Sequence, residues 1–125
     1  VEVEVEDEEY KLVRATTVFE CGAAVNPVQL ESQVFGCLIQ GLGGAMFEAV
    51  DYEDGLILTD RLSQYRVPRF ADVPALDVVI LDRKDLPSAG AGETPIMGIA
   101  PAIRNALLAA TGKVLRDLPL RLGEG

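Results

Sequence analysis

Valine and glutamate alternate strictly over the first six residues, VEVEVE, which is the period of a strand with one face turned to solvent. An acidic turn, EDEE at residues 6–9, separates it from YKLVRATTVFECG, a longer and more apolar stretch rich in Val and Thr. The two predict a hairpin. The like charges of Glu2, Glu4 and Glu6 protect its outer edge from unwanted pairing.

The period then changes. Asn26 is a good N-cap and Pro27 suits the first helical position. Val34, Phe35, Leu38, Ile39, Leu42, Ala45, Met46 and Ala49 recur at helical spacing, which predicts a helix from residue 27 to about residue 50. Four glycines, Gly36, Gly41, Gly43 and Gly44, interrupt it, each costing roughly 1 kcal/mol against Ala. Close approach of another backbone, a bulky neighbour or a ligand is the usual reason to keep them.

Asp54-Gly55 is a hairpin-type turn and precedes a short strand at residues 56–59. RLSQYRVPRFADVP, with two prolines, is an ordered connection, and residues 76–81 form a second apolar strand. A glycine-rich loop, AGAGETP, follows. A last helix begins near Ala100, with Pro101 in its first turn and Gly112 as C-cap, and KVLRDLPLRL is an extended tail. The order β-β-α-β-β-α implies one α/β domain over residues 1–125, of the α+β type: a two-layer sandwich with a largely antiparallel sheet.

Composition narrows the function. The net charge of -9 lies mostly in the first ten residues, and no cluster of Lys and Arg exists for nucleic-acid phosphates. Histidine is absent, which removes Ser-His-Asp and Cys-His chemistry and leaves carboxylates, Lys, Tyr and Cys as proton carriers. Cys21 and Cys37 lack zinc-ligand spacing and read as two small buried thiols or one disulfide. No apolar run reaches the roughly 20 residues of a bilayer span, and no signal peptide is visible. A start at Val1, directly in a strand pattern, suggests a piece of a longer polypeptide.

Two places carry candidate chemistry. In GAGE, Gly90 and Gly92 suit a tight turn and Glu93 favours a nearby helix start; equally, the glycines admit a ligand and Glu93 serves as general base. Gln33 is either a solvated helix residue or an amide offering a donor and an acceptor to a polar ligand.

Three stretches in order, FECGAAVNP, ESQVFGCLIQGLGGAMFE and GAGETPIMGIAPAIRNALLAATGKVLRDLPL, resemble the C-terminal end of the molybdenum-binding subunit of the xanthine dehydrogenase/aldehyde oxidase family. The nearest likeness is to isoquinoline 1-oxidoreductase beta subunits. The resemblance implies that Glu93 matches the family's catalytic base in a hydroxylation that takes its oxygen from water. It also implies that Gln33 contacts the pterin of a molybdenum–molybdopterin cofactor, in the cytosine dinucleotide form, and that the Gly92 backbone lies near the metal ligands. Ser32 departs from the family's usual glycine before that glutamine. The implied partners are the rest of the subunit, an iron–sulfur subunit or domain, and a flavin or cytochrome acceptor. The substrate would be an aldehyde or an aromatic N-heterocycle, and the isolated chain would be inactive. The alternative from another class is a non-catalytic binding or assembly module on the same scaffold.

Overall fold

A computed structural model describes residues 1–123 of the chain. Strand β1 (Glu2–Glu6) turns through Asp7 and Glu8 into β2 (Glu9–Glu20), paired antiparallel to it. Val3 and Val5 face inward and the glutamates outward, as alternation requires. Beyond Leu12 the register with β1 shifts, pairing Val3 with Leu12 but Glu2 with Arg14. The extra residue moves the inward positions of β2 from Tyr10 and Leu12 to Ala15 and Phe19, so one long strand keeps an apolar face through a bulge.

Helix α1 (Pro27–Met46) starts as expected: Asn26 is extended at φ -134°, and its Oδ1 accepts from the Gln29 N–H at 3.2 Å. It stops at Met46, short of residue 50. The N–H groups of Phe47 and Glu48 both donate to the Gly43 carbonyl at 2.9 Å, which closes the last turn and ends the helical ladder. A small hairpin follows, β3 (Tyr52–Glu53) with β4 (Leu56–Ile57), and stands apart from the main sheet.

Strand β5 (Ala75–Leu81) runs parallel to β2, in register from Arg14–Ala75 to Glu20–Leu81. The three-stranded sheet, in the order β1-β2-β5, is therefore mixed, where a largely antiparallel one was expected. The cause is topological. With β3 and β4 paired only to each other, the chain returns over α1 and enters β5 in the direction of β2, as a crossover connection requires.

Helix α2 (Ile99–Thr111) ends at Gly112, whose φ of +74° is the left-handed cap, and the Gly112 N–H donates to the Leu108 carbonyl at 2.8 Å. Both helices cover the inward face of the sheet. Val34, Leu38 and Leu42 of α1 meet Ile99, Ile103 and Leu107 of α2 over Leu12 and Ala15, all buried. Each fully buried Leu or Ile contributes about 1.5–3 kcal/mol. The tail closes the end of this core with Leu120 and Leu122, fastened by the Leu120 N–H to Ala45 carbonyl bond of 2.8 Å and by Arg104 Nε to the Leu115 carbonyl at 2.7 Å. Cys21 and Cys37 are separate buried thiols. No helix among the described residues is long and apolar enough to cross a membrane.

Candidate functional site

The chain leaves β5 along the segment that follows β2, and backbone bonds tie the two together. Arg83 N–H donates to the Gly22 carbonyl at 3.2 Å, Ala23 N–H to the Leu86 carbonyl at 3.2 Å, and Ala89 N–H to the Cys21 carbonyl at 2.8 Å. The Asp82 carboxylate adds a 2.9 Å contact from the Ala24 N–H. The glycine loop thus begins from an anchored base beside the start of α1. At Gly90 it turns with φ +81°, a conformation that side-chain-bearing residues rarely adopt.

Its far end is fastened to α1. Gln33 Nε2 donates to the Gly92 carbonyl at 2.5 Å, and the buried Cys37 thiol, one helical turn on, donates to the same oxygen at 3.5 Å. Gln33 Nε2 also lies 3.9 Å from Cys37 Sγ. Cys37, read from the sequence as a small buried thiol, stands four residues on from Gln33, the helical spacing that lets both side chains reach the same loop.

Glu93 follows at once. It caps a short 3-10 helix, Thr94–Gly98, through the Ile96 N–H to Glu93 carbonyl bond of 3.1 Å, and Pro95 is buried beneath. That turn leads directly into α2. The Glu93 side chain is exposed and makes no hydrogen bond or ion pair among the described residues. The structure therefore brings Gln33 to the adjacent Gly92 and Glu93, the first of them 59 residues away in sequence, where loop and helices meet.

The glycines divide by role. A Cβ on Gly41 would overlap Ile99, so that glycine serves packing between α1 and the segment after the loop. At Gly36, Gly90 and Gly92 a Cβ would meet nothing within 4 Å, and the space beside them is open. The N–H groups of Gly90, Ala91, Gly92 and Glu93 have no protein acceptor among the described residues. With its nitrogen turned to Gly92, Gln33 presents only Oε1 outward. A surface opened by Gly36, Gly90 and Gly92, with several backbone donors and one amide acceptor, fits the hydrogen-bonding edge of a flat pterin. No group of three or more Cys, Asp or Glu among the described residues is placed to hold a metal ion.

Comparison with known proteins identifies the family. Residues 1–74 match the model of a molybdopterin cofactor-binding domain. The molybdenum-binding subunit PaoC of an Escherichia coli aldehyde oxidoreductase is 36% identical over 121 residues, covering 91% of this chain and 16% of PaoC. The putative xanthine dehydrogenase molybdenum-binding subunit XdhA of the same organism is 35% identical over 113 residues, 86% of this chain and 15% of XdhA. Isoquinoline 1-oxidoreductase subunit beta of Brevundimonas diminuta is 32% identical over 108 residues, 86% of this chain and 14% of that protein. The crystal structure of quinoline 2-oxidoreductase from Pseudomonas putida 86 superposes with a TM-score of 0.78 and 28% identity, over 89% of this chain and 15% of that one. The chain spans about one sixth of the length of the curated relatives that it matches. It belongs to the molybdopterin cofactor-binding domain family, among the molybdenum-binding subunits of the xanthine dehydrogenase/aldehyde oxidase family.

Proposed function

We propose that this chain is the C-terminal part of the molybdenum-binding subunit of a hydroxylase, and that Glu93 is its general base. The observation that carries the reading is the contrast at Glu93: its backbone is held on both sides, by the Gly92 contacts and by the 3-10 turn, while its carboxylate is free and exposed. A purely structural acid at a helix start would instead satisfy backbone N–H groups, and Glu93 makes no such side-chain bond.

The substrate is an aldehyde or an aromatic N-heterocycle, the classes named in aldehyde oxidoreductase and quinoline 2-oxidoreductase among its relatives. When bound, molybdenum–molybdopterin in its cytosine dinucleotide form supplies the two-electron oxidant. The part of this chain is positional and proton-transferring. A Glu93 carboxylate oxygen takes the proton from the water-derived nucleophile as it attacks an electron-poor carbon. Gln33 Oε1 would accept from a pterin N–H of the bound cofactor, and the N–H groups of Gly92 and Glu93, without a protein acceptor among the described residues, would be available to donate to it. The electrons would leave through iron–sulfur clusters on a partner subunit or domain to a flavin or cytochrome acceptor.

The test is turnover of the complete enzyme carrying Glu93→Gln, with molybdenum measured on the same sample. A loss of about 10²–10⁴-fold or more, with molybdenum retained, is expected for removal of a general base. Activity near that of the unaltered enzyme would refute the assignment. The isolated chain should show neither bound molybdenum nor turnover, because it spans so small a share of its relatives.

A further inference from the structure

Two donors from one turn of α1 converge on a single acceptor of the glycine loop. From this we infer that Gln33 and Cys37 act together as positioning residues for Glu93, a role for Cys37 that its burial alone does not suggest. The inference rests on the reading of Glu93 as the base.

A carbonyl oxygen has two lone pairs, and that of Gly92 has one donor for each: Gln33 Nε2 at 2.5 Å and Cys37 Sγ at 3.5 Å. Because a carbonyl only accepts, the Gln33 amide must turn its nitrogen toward the loop. The second hydrogen of that nitrogen faces Cys37 Sγ, 3.9 Å away. The three groups form a closed triangle, and no donor of Gln33 is left for a ligand.

The consequence passes through the peptide plane. The bond between Gly92 and Glu93 is trans, so the Glu93 N–H points opposite to the Gly92 carbonyl. With the carbonyl held against α1, that N–H is directed away from the helix toward the open side, where it has no protein acceptor among the described residues. On the other side of the Glu93 Cα, its carbonyl is fixed by the Ile96 N–H at 3.1 Å. The clamp therefore sets the starting point and direction of the Glu93 side chain without touching the carboxylate. Cys37 suits the inner half of the clamp because it is only 5% exposed, which keeps water from competing for the Gly92 oxygen. Gln33, at the exposed rim, supplies the stronger donor.

Misplacing a reacting group by about 1 Å costs about 10²-fold in rate, and that scale sets the expected effects. In the complete holoenzyme, Gln33→Glu replaces the donor with a carboxylate at an exposed position where folding tolerates it. It should lower kcat about 10²-fold with KM nearly unchanged. Cys37→Ala should lower kcat about tenfold, and Cys37→Ser, whose hydroxyl still donates, should recover most of that loss. Hydrogen–deuterium exchange gives a readout independent of turnover: the amides of Ala89 and Ile96, hydrogen-bonded at the two ends of the loop, should exchange faster in Gln33→Glu and Cys37→Ala, while residues 75–81 exchange as in the unaltered enzyme. Unchanged exchange and unchanged kcat in both variants, alongside an inactive Glu93→Gln, would overturn the clamp and leave the base standing. If Glu93→Gln instead turns over normally, the base reading fails. Exchange at Ala89 and Ile96 then still decides whether the clamp holds the loop.

Discussion

Gly41 of α1 lies so close to Ile99, the first residue of α2, that a Cβ built on the glycine would overlap Ile99 Cγ2 and sit 3.0 Å from Ile96 Cγ1. The helix passes directly under the segment that carries Glu93 into α2. Gly41→Ala should therefore push that segment outward and destabilise the protein by about 1–3 kcal/mol, the usual cost of overpacking. Gly36→Ala is the matched control, since its Cβ meets nothing within 4 Å and the change should add about 0.5–1 kcal/mol of helix stability. Thermal unfolding of the two variants should shift in opposite directions. Equal shifts would mean that the close contact yields at no cost.

The loop glycines should separate folding from cofactor binding. Gly90 has φ +81°, so Gly90→Ala stores about 1–3 kcal/mol of backbone strain and should lower the unfolding temperature. Gly92 has no such constraint and a Cβ there would meet nothing within 4 Å, so Gly92→Ala should leave stability within about 0.5 kcal/mol. In the complete enzyme, however, its methyl would stand where the proposed function puts the cofactor, and molybdenum content should then fall. Full molybdenum occupancy in Gly92→Ala would argue that the open side of the loop faces solvent in the assembled enzyme.

Much of this was legible in the chain, for identifiable reasons. Asn26-Pro27 and Gly112 are local signals, and local signals fix helix ends when the cap geometry itself follows from the residue type. Residue 50 failed as the end of α1 because the apolar spacing continues through Ala49, whereas the ladder stops at the Gly43 carbonyl, a backbone event that no side chain announces. The parallel direction of β5 was not legible either. Val78 and Ile80 would alternate identically in an antiparallel strand, and only the withdrawal of β3 and β4 from the sheet decides the pairing. The meeting of Gln33 with Gly92 depends on contacts between residues 59 apart, which periodicity cannot encode.

The α1 cap should matter more than its exposed position suggests. Asn26 Oδ1 satisfies the Gln29 N–H at 3.2 Å, and the Asn26 carbonyl accepts from Leu30 at 2.9 Å. Asn26→Ala should cost about 1 kcal/mol. Fraying would begin one turn before Gln33, so amide exchange at residues 28–32 should rise well before global unfolding. Exchange unchanged from the unaltered protein would show that the Pro27 start alone suffices.

Tyr10 gives the chain a pH-dependent fastening. Its hydroxyl donates to the Leu120 carbonyl at 3.0 Å, tying the tail to the sheet, and burial pushes its pKa from 10.0 up to about 12. The folded protein thus keeps this proton where the unfolded chain has begun to lose it. The contribution is complete below pH 10 and declines as pH rises toward about 12, because the unfolded state binds fewer protons in that window. Tyr65, whose hydroxyl donates to the Glu48 carboxylate, is shifted in the same direction and would add to the decline. Tyr10→Phe separates the two. It should cost about 1 kcal/mol at neutral pH through the lost hydrogen bond, and it should flatten the alkaline fall in stability. Denaturant midpoints at about pH 9 and about pH 11 should therefore converge for the two proteins as pH rises. Parallel losses would mean that Tyr10 ionises alike in the folded and unfolded chains, and that another group drives the alkaline limb.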